Sequence, residues 1–290
     1  FNIRHRIRLL DYFSKHNNLS LYQPYFKANG TIGDIGYLNT LFPVGIRVSN
    51  QKKVSTMINY KNSNSALSCN SVIVDVGKGA SLSLTEVFEC SNTQITKVVY
   101  IVRENASLHV DRYFKVAAGS AHYVESQVVQ FNNANFDLHT IAADNEYTMQ
   151  TFDVDMFHNC SASITGKSIS ANSETNVIVT NIHHRGIDST SNIDVKSIGD
   201  DNGTCSFKGS ITIDEAAVNT VAHMQNKNLQ LSSKAKIFAE PTLDIATKEV
   251  ECSHGCTISN IDKDELYYLE SRGVSKEDAA TILINNFLGT

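Results

Sequence analysis

A short motif recurs through the middle of the chain and limits what it can fold into. Gly79-Ala-Ser-Leu-Ser-Leu84, Asn105-Ala-Ser-Leu-His-Val110, Asn133-Ala-Asn-Phe-Asp-Leu138 and Asn159-Cys-Ser-Ala-Ser-Ile164 share one order: turn residue, small residue, polar, apolar, polar, apolar. Gly119-Ser-Ala-His-Tyr-Val124 and Asn172-Ser-Glu-Thr-Asn-Val177 are looser copies. The copies start at 79, 105, 119, 133, 159 and 172, spacings of 26, 14, 14, 26 and 13. A unit of roughly 13 residues holds one strand and one turn, and two units make one rung of a β-solenoid. The small residue belongs at the tight corner, and alternate apolar residues fill the interior. A flat β-sandwich would place turns every ~8–12 residues without a shared corner motif.

The flanking sequence agrees. Val72–Val76, Leu82–Leu84, Val98–Val102, Val128–Phe131, Val177–Val179 and Ile211–Ile213 are short apolar or alternating runs rich in β-branched residues, as strands prefer. Helical periodicity is scarce until about residue 260. The expected fold is therefore all-β dominated: a parallel β-helix over 70–250 with short α-helical segments at both ends. Residues 1–69 form an N-terminal segment, with a short amphipathic helix over Arg4–His16 (Ile7, Leu10 and Phe13 on its face). A strand or two follow among Leu38, Leu41, Phe42, Val44, Ile46 and Val48. Residues 251–290 form a C-terminal helical segment.

Composition narrows the function. Apolar residues make up 41% of the 290, ample for a core. The net charge of −5 argues against a general nucleic-acid surface. No run approaches the ~18 apolar residues of a membrane span. The chain starts Phe1-Asn-Ile-Arg, with neither an apolar signal-peptide core nor an initiator Met. Its six cysteines are scattered through a chain too large to need staples, so free thiols in a reducing, cytoplasmic setting are expected.

Several chemistries are excluded by their missing signatures. There is no Gly-x4-Gly-Lys-Ser/Thr phosphate loop, so the chain has no ATP site of its own. There is no Gly-x-Ser-x-Gly elbow. Gly77-Lys-Gly79 reads as a turn, and His183-His184-Arg185 as a solenoid turn. Asp153 and Asp155 would share one strand face, as a glycosidase pair could. Paired carboxylates on a solvated face are ordinary, however.

The richest chemistry lies near the C-terminus. Cys252, His254 and Cys256 alternate in sequence, so in an extended strand they share one face. Two thiols and an imidazole together form a soft-ligand set suited to zinc, iron or an iron–sulfur species. The bland alternative is two small buried cysteines and a hydrogen-bonded histidine. Beyond them, Asp262 caps a first helix, with Leu266 and Leu269 on one face beside Tyr267 and Tyr268. Arg272-Gly273 reads as its stop. Ser275 caps a second helix, with Glu277 and Asp278 in its first turn. Ala279, Ile282, Leu283, Asn286 and Phe287 define its stripe, leaving Ile284 and Leu288 to the side. Helices this short need the body of the protein or a partner to bury their faces.

This closing segment resembles a known family. Glu251-Cys-Ser-His-Gly-Cys-Thr257, Ile261-Asp262, Leu266-Tyr-Tyr-Leu269, Ser271-Arg-Gly273 and Leu283-Ile284 look like the end of the SufB/SufD family, from the SUF iron–sulfur cluster assembly machinery. Upstream, Phe207–Ile211, Gln225–Leu231, Ser233–Ala235 and Pro241–Ile245 fall where the family has comparable motifs. The resemblance covers roughly 70–290 and implies a right-handed parallel β-helix with helical ends. The family's N-terminal helical domain is mostly absent, so the N-terminal segment reads as truncated relative to it.

Two features place the chain on the SufD side. It lacks any cysteine from Ser206 to Glu251, where SufB carries its scaffold cysteine, and it has Gly255 where SufB has a glutamate after the matching histidine. Cys256 departs from the alanine usual in SufD, either as an added ligand or as a tolerated small residue. The resemblance implies a non-catalytic scaffold subunit that pairs with SufB through the β-helix. It docks the SufC ATPase through its C-terminal helices, with Leu266, Tyr267, Leu269, Arg272, Ile282, Leu283 and Phe287 as contact residues. A nascent iron–sulfur cluster would form at the SufB interface with His254 as a ligand, and Cys252 and Cys256 as further candidates. Reduced FAD is associated with the family's complex, and the family's setting is cytoplasmic or, alternatively, a plastid-type organelle. A homodimer of the isolated chain is a further expectation. The rival readings are a secreted carbohydrate-binding or carbohydrate-cleaving β-helix using Asp153 and Asp155, and a standalone metalloprotein using Cys252, His254 and Cys256.

Overall fold

A computed structural model describes residues 44–61, 67–89, 92–114, 117–143 and 145–289. The expected Arg4–His16 helix and positions 38–42 lie outside the described residues. Two eight-stranded sheets, each with every neighbouring pair parallel, make up the body. One sheet holds β1 (Val44–Val48), β3 (Leu67–Val76), β5 (Thr93–Val102), β7 (Ala117–Gln130), β9 (Asn145–Met156), β11 (Thr175–His184), β13 (Thr204–Ile213) and β15 (Lys236–Ile245). The other holds β2 (Lys53–Lys61), β4 (Ser81–Glu89), β6 (Ser107–Phe114), β8 (Asn135–Ala142), β10 (Ser161–Ser170), β12 (Thr190–Gly199), β14 (Thr220–Gln230) and β16 (Val250–Ser259). Successive strands alternate between sheets, so the chain winds as a β-solenoid of about seven turns. The strands extend past both ends of 70–250: β1 and β2 precede it, and β16 carries the Cys/His stretch as part of the solenoid.

The repeat is the corner. All six copies begin with a residue in the left-handed region: Gly79, Asn105, Gly119, Asn133, Asn159 and Asn172 have φ between 49° and 77°. Glycine and asparagine are the residues that tolerate this geometry best. The small residue that follows is buried, as at Ala80, Ala106, Ala134 and Cys160. Along one edge of the stack the corners are hydrogen-bonded in series. Gly79 N–H donates to the Glu104 carbonyl, Asn105 N–H to Asn132, Asn133 N–H to His158, and Asn159 N–H to Ile187. Each corner thereby satisfies the next one's backbone, which a buried turn requires.

The rungs are uneven along the stack, and the first described, Val44 to Val72, spans 28 residues. Asn70 and Thr96, cross-strand neighbours, are 26 residues apart, and Lys97 and Glu125 are 28 apart. Further on, Val195 and Asn226 are 31 apart, and His223 and Ser253 are 30 apart. The strands stay near ten residues, so the additions fall in the corners.

Corner packing leaves little slack. A Cβ on Gly203 would clash with the Ser170 carbonyl oxygen, on the rung before it. That atom belongs to backbone that cannot retreat without loosening the ladder. Gly203→Ala is expected to destabilise the fold by about 2 kcal/mol, read as a lower urea midpoint at unchanged slope. An unchanged midpoint would show that the corner yields.

The interior is not purely apolar. Continuing the alternation of β4 and β6 turns Glu86 and Arg112 inward among Leu82, Leu84, Phe88, Leu108 and Val110, and both are fully buried. They form an ion pair at 2.8 Å. Such a pair needs most of its remaining valences filled to persist in an apolar core, and here all but Arg112 Nη1 find a partner. Tyr60 donates to Glu86 (3.0 Å), and an Arg112 amino group donates to the Tyr100 hydroxyl (2.9 Å) and to Ser126 (3.0 Å). The Phe88 and Phe152 rings lie 5.5 and 5.2 Å from the guanidinium. Burial, then the Glu86 charge, pushes both phenols well above their usual range, so they stay protonated donors.

Candidate functional site

β16 delivers the Cys/His stretch to the last described rung. Cys252, His254 and Cys256 lie opposite Ala222, Met224 and Asn226 of β14, all three buried in the solenoid interior. The three therefore share the inward-facing side, as their alternation requires. Among the described residues, no strand follows β15 or β16 in either sheet, so each presents a free edge. Ile245 and Ile258 are 39% and 52% exposed, although their register partners Ile213 and Asn228 are buried. The interior of the solenoid is thus open at this end.

Cys252 is half-buried against the core, whereas His254 and Cys256 are exposed. Burial pushes both thiols above their usual range, so they are held as thiols rather than thiolates. Asn226 and Asn228 lie beneath Cys256. Asn228 donates to Asn226 (2.6 Å) and to the Thr257 carbonyl (3.0 Å). These two asparagines were not singled out as site surroundings, although their i, i+2 spacing within Gln225–Leu231 points both inward. A side chain at Gly255 would meet nothing within 4 Å, so packing does not demand the glycine.

The C-terminal helices, α1 (Lys263–Ser271) and α2 (Lys276–Leu288), form where their caps predict. The Asp262 carboxylate accepts from the Asp264 and Glu265 amides at 2.8 and 3.4 Å, and Ser275 Oγ accepts from the Asp278 amide at 3.1 Å. Gly273 takes φ 90° after the first helix. The packed face of α2 overlaps the expected stripe in part: Ala279 is buried and Phe287 packs, but Ile282 and Asn286 are exposed and Ile284 and Leu288 turn inward. Leu288, Ile284 and Phe287 pack on Ile198 and Leu229, while Ile282 is 46% exposed. Docking on Ile198 and Leu229 selects Ile284, Phe287 and Leu288, an i, i+3, i+4 set shifted slightly round the helix from the expected stripe. Lys196 fixes the arrangement by donating to the Phe287 carbonyl at 2.8 Å.

The residues expected to meet an ATPase therefore divide. Tyr267 is 72% exposed and Arg272 is exposed, with its guanidinium over the Tyr268 ring at 5.3 Å. Leu266, Leu269 and Leu283 are half-buried, and Phe287 is engaged with the solenoid. Among the described residues, no helix is long and apolar enough to cross a membrane.

Asp153 and Asp155 do share the outer face of β9, but each is already committed. Asn181 donates to Asp153 at 2.7 Å, and Arg185 pairs with Asp155 at 2.7 Å. Burial pushes the Asp153 carboxyl up, but Asp155, tied to a guanidinium, is a weak acid–base candidate, and the carbohydrate reading is not favoured.

The family model for the SUF system FeS cluster assembly SufBD core domain matches residues 57–287. An iron–sulfur cluster assembly SufBD family protein of Synechocystis is 45% identical over 94 residues, 32% of this chain and 21% of that protein. Iron–sulfur cluster assembly protein SufD of Escherichia coli is 37% identical over 92 residues, 32% of this chain and 22% of that protein. SufD of Bacillus subtilis is 33% identical over 115 residues, 40% of this chain and 26% of that protein. The aligned part thus spans about a quarter or less of each relative's length. Because the family match takes in nearly the whole solenoid and both C-terminal helices, the chain belongs to the SufB/SufD family of the SUF iron–sulfur cluster assembly system.

Proposed function

We propose that this chain is a SufD-like scaffold subunit without catalytic activity of its own, which presents His254 to a nascent iron–sulfur cluster. The observation that carries the reading is the open last rung: two free strand edges, with the inward-facing Cys252, His254 and Cys256 on one of them. An exposed edge pairs readily with another strand. A SufB-type β-helix adding to this end would cover Ile245 and Ile258 and face the imidazole. His254 then ligates iron, and Cys252 contributes by losing its proton when metal arrives. Cys256 acts as a tolerated small residue. The α1–α2 hairpin, with Tyr267, Arg272 and Ile282 outward, docks a SufC-type ATPase, because the chain has no phosphate loop. No residue is assigned to the reduced FAD that the resemblance attaches to the family's complex. Relatives include bacterial proteins and a chloroplastic one, which supports a cytoplasmic or plastid setting.

The test is reconstitution with the SufB- and SufC-type partners. His254→Ala should retain both partners in a pull-down while cluster assembly drops to the level without this subunit. Cys256→Ala should assemble clusters normally, and Tyr267→Ala with Ile282→Ala should lose the ATPase. Normal assembly by His254→Ala would reject the ligand role, and failure to retain a SufB-type partner would reject the scaffold reading.

A further inference from the structure

A second imidazole cluster stands on the opposite, outer face of the even-numbered sheet. Parallel register sets His109 of β6 against Asp137 of β8, and Asp111 against His139. The result is a two-by-two checkerboard, with each acid beside both histidines. Asp137 approaches His109 Nδ1 at 2.8 Å and His139 Nε2 at 3.5 Å. Asp111 approaches the other nitrogen of each ring, His109 Nε2 at 3.2 Å and His139 Nδ1 at 3.5 Å. The rings meet edge to face with centroids 5.1 Å apart.

The two carboxylates are not equivalent in what they can do. One ligand atom each from His109, Asp137 and His139 lies within 4.8 Å of the others, close enough to share an ion. Asp111, on the far side of both rings, is placed to accept their remaining N–H groups. Histidines that bind metals commonly donate the second ring nitrogen to a carboxylate, which fixes the tautomer and raises basicity. Both imidazoles here have that arrangement towards one acid, with the other acid between their free nitrogens. The flanking outward positions are Ser83 and Thr85 on β4, and Ser163 and Thr165 on β10. Tyr113 and Ile141 follow along β6 and β8. None of these carries a positive charge to balance the two acids.

We propose that His109, His139 and Asp137 bind a divalent first-row transition-metal ion of the zinc and ferrous-iron class, with Asp111 orienting both imidazoles. Two imidazoles and one carboxylate suit these ions. The set leaves a coordination position facing solvent, and the short side chains around it let a further ligand approach. Strands β10, β12 and β14 separate it from β16, a distance of about 19 Å at strand spacing, and it lies on the other side of the sheet. It is therefore independent of His254, and its failure would leave the scaffold reading untouched.

The test uses the full chain carrying Cys252→Ser, His254→Ala and Cys256→Ser, so that the last rung contributes nothing. After chelation, titration calorimetry with Zn²⁺ should give one equivalent bound. Co²⁺ should give ligand-field bands without thiolate charge transfer. Adding His139→Ala should abolish binding, and adding Asp111→Asn, which keeps size and fold, should weaken it by roughly 10–100-fold. Absence of Zn²⁺ binding, or binding unchanged by both His139→Ala and Asp111→Asn, would overturn the proposal.

Discussion

Arg112→Ala is expected to cost more than about 4 kcal/mol of folding free energy. Removing one partner of a buried ion pair leaves an uncompensated charge, typically at ~3–5 kcal/mol, and Glu86 is fully buried. Truncation also empties the space between the Phe88 and Phe152 rings and deprives Tyr100 and Ser126 of a donor. The double variant Glu86→Leu with Arg112→Met should recover part of the loss, because apolar groups of similar volume can replace such a pair at little cost, while the buried Tyr60 and Tyr100 hydroxyls lose their partners. Urea unfolding of the three proteins decides the matter. If the double variant is as unstable as the single one, shape rather than charge is what the pair supplies.

The second large effect is acid sensitivity at two buried histidines. His184 is fully buried. Its Nε2 lies 2.8 Å from Ser191 Oγ, and its Nδ1 has no hydrogen-bond partner. Burial, reinforced by the nearby His183, pulls this imidazole down to about 4, and burial alone pulls His122 to about 4. A group whose folded value is depressed binds its proton first in the unfolded chain. The stability it supports is therefore complete above the unfolded value near 6.5 and drains away as pH falls towards 4. For His184 the difference reaches about 3 kcal/mol at pH 4. His184→Gln should flatten the slope of stability against pH between 6.5 and 4 relative to the parent, while carboxylate titrations common to both proteins cancel. Parallel slopes would mean that His184 is charged in the folded state.

Much of the solenoid is legible in the sequence because its most demanding positions are conformational. A left-handed corner selects asparagine or glycine, and the buried position after it selects a small residue. The motif at 79, 105, 119, 133, 159 and 172 is thus a direct print of backbone geometry. The shared inward face of Cys252, His254 and Cys256 follows from alternation alone. The caps at Asp262 and Ser275 are local chemistry and form as expected. What alternation does not announce is a charge turned inward. Glu86 and Arg112 become core residues only if the phase set by Leu82 and Leu108 is carried through them. The His109 checkerboard needs register between strands. Its signal was present, since His109 and Asp137 are both the fifth residue of their repeat copies. The buried face of α2 is rotated from the sequence-read stripe by docking on Ile198 and Leu229, since periodicity alone leaves Ile282 and Ile284 as near-equal choices.

The uneven rungs bear on a hazard common to parallel β stacks, growth into fibres. A column of constant girth can seat its top on the bottom of an identical copy and repeat without limit. Here the turn holding Asn70 and Thr96 is 26 residues around, while that holding His223 and Ser253 is 30. The first described turn, from Val44 to Val72, is 28 residues around, so the corners at the two described ends differ in length. Head-to-tail stacking of identical copies would meet a mismatch at those corners.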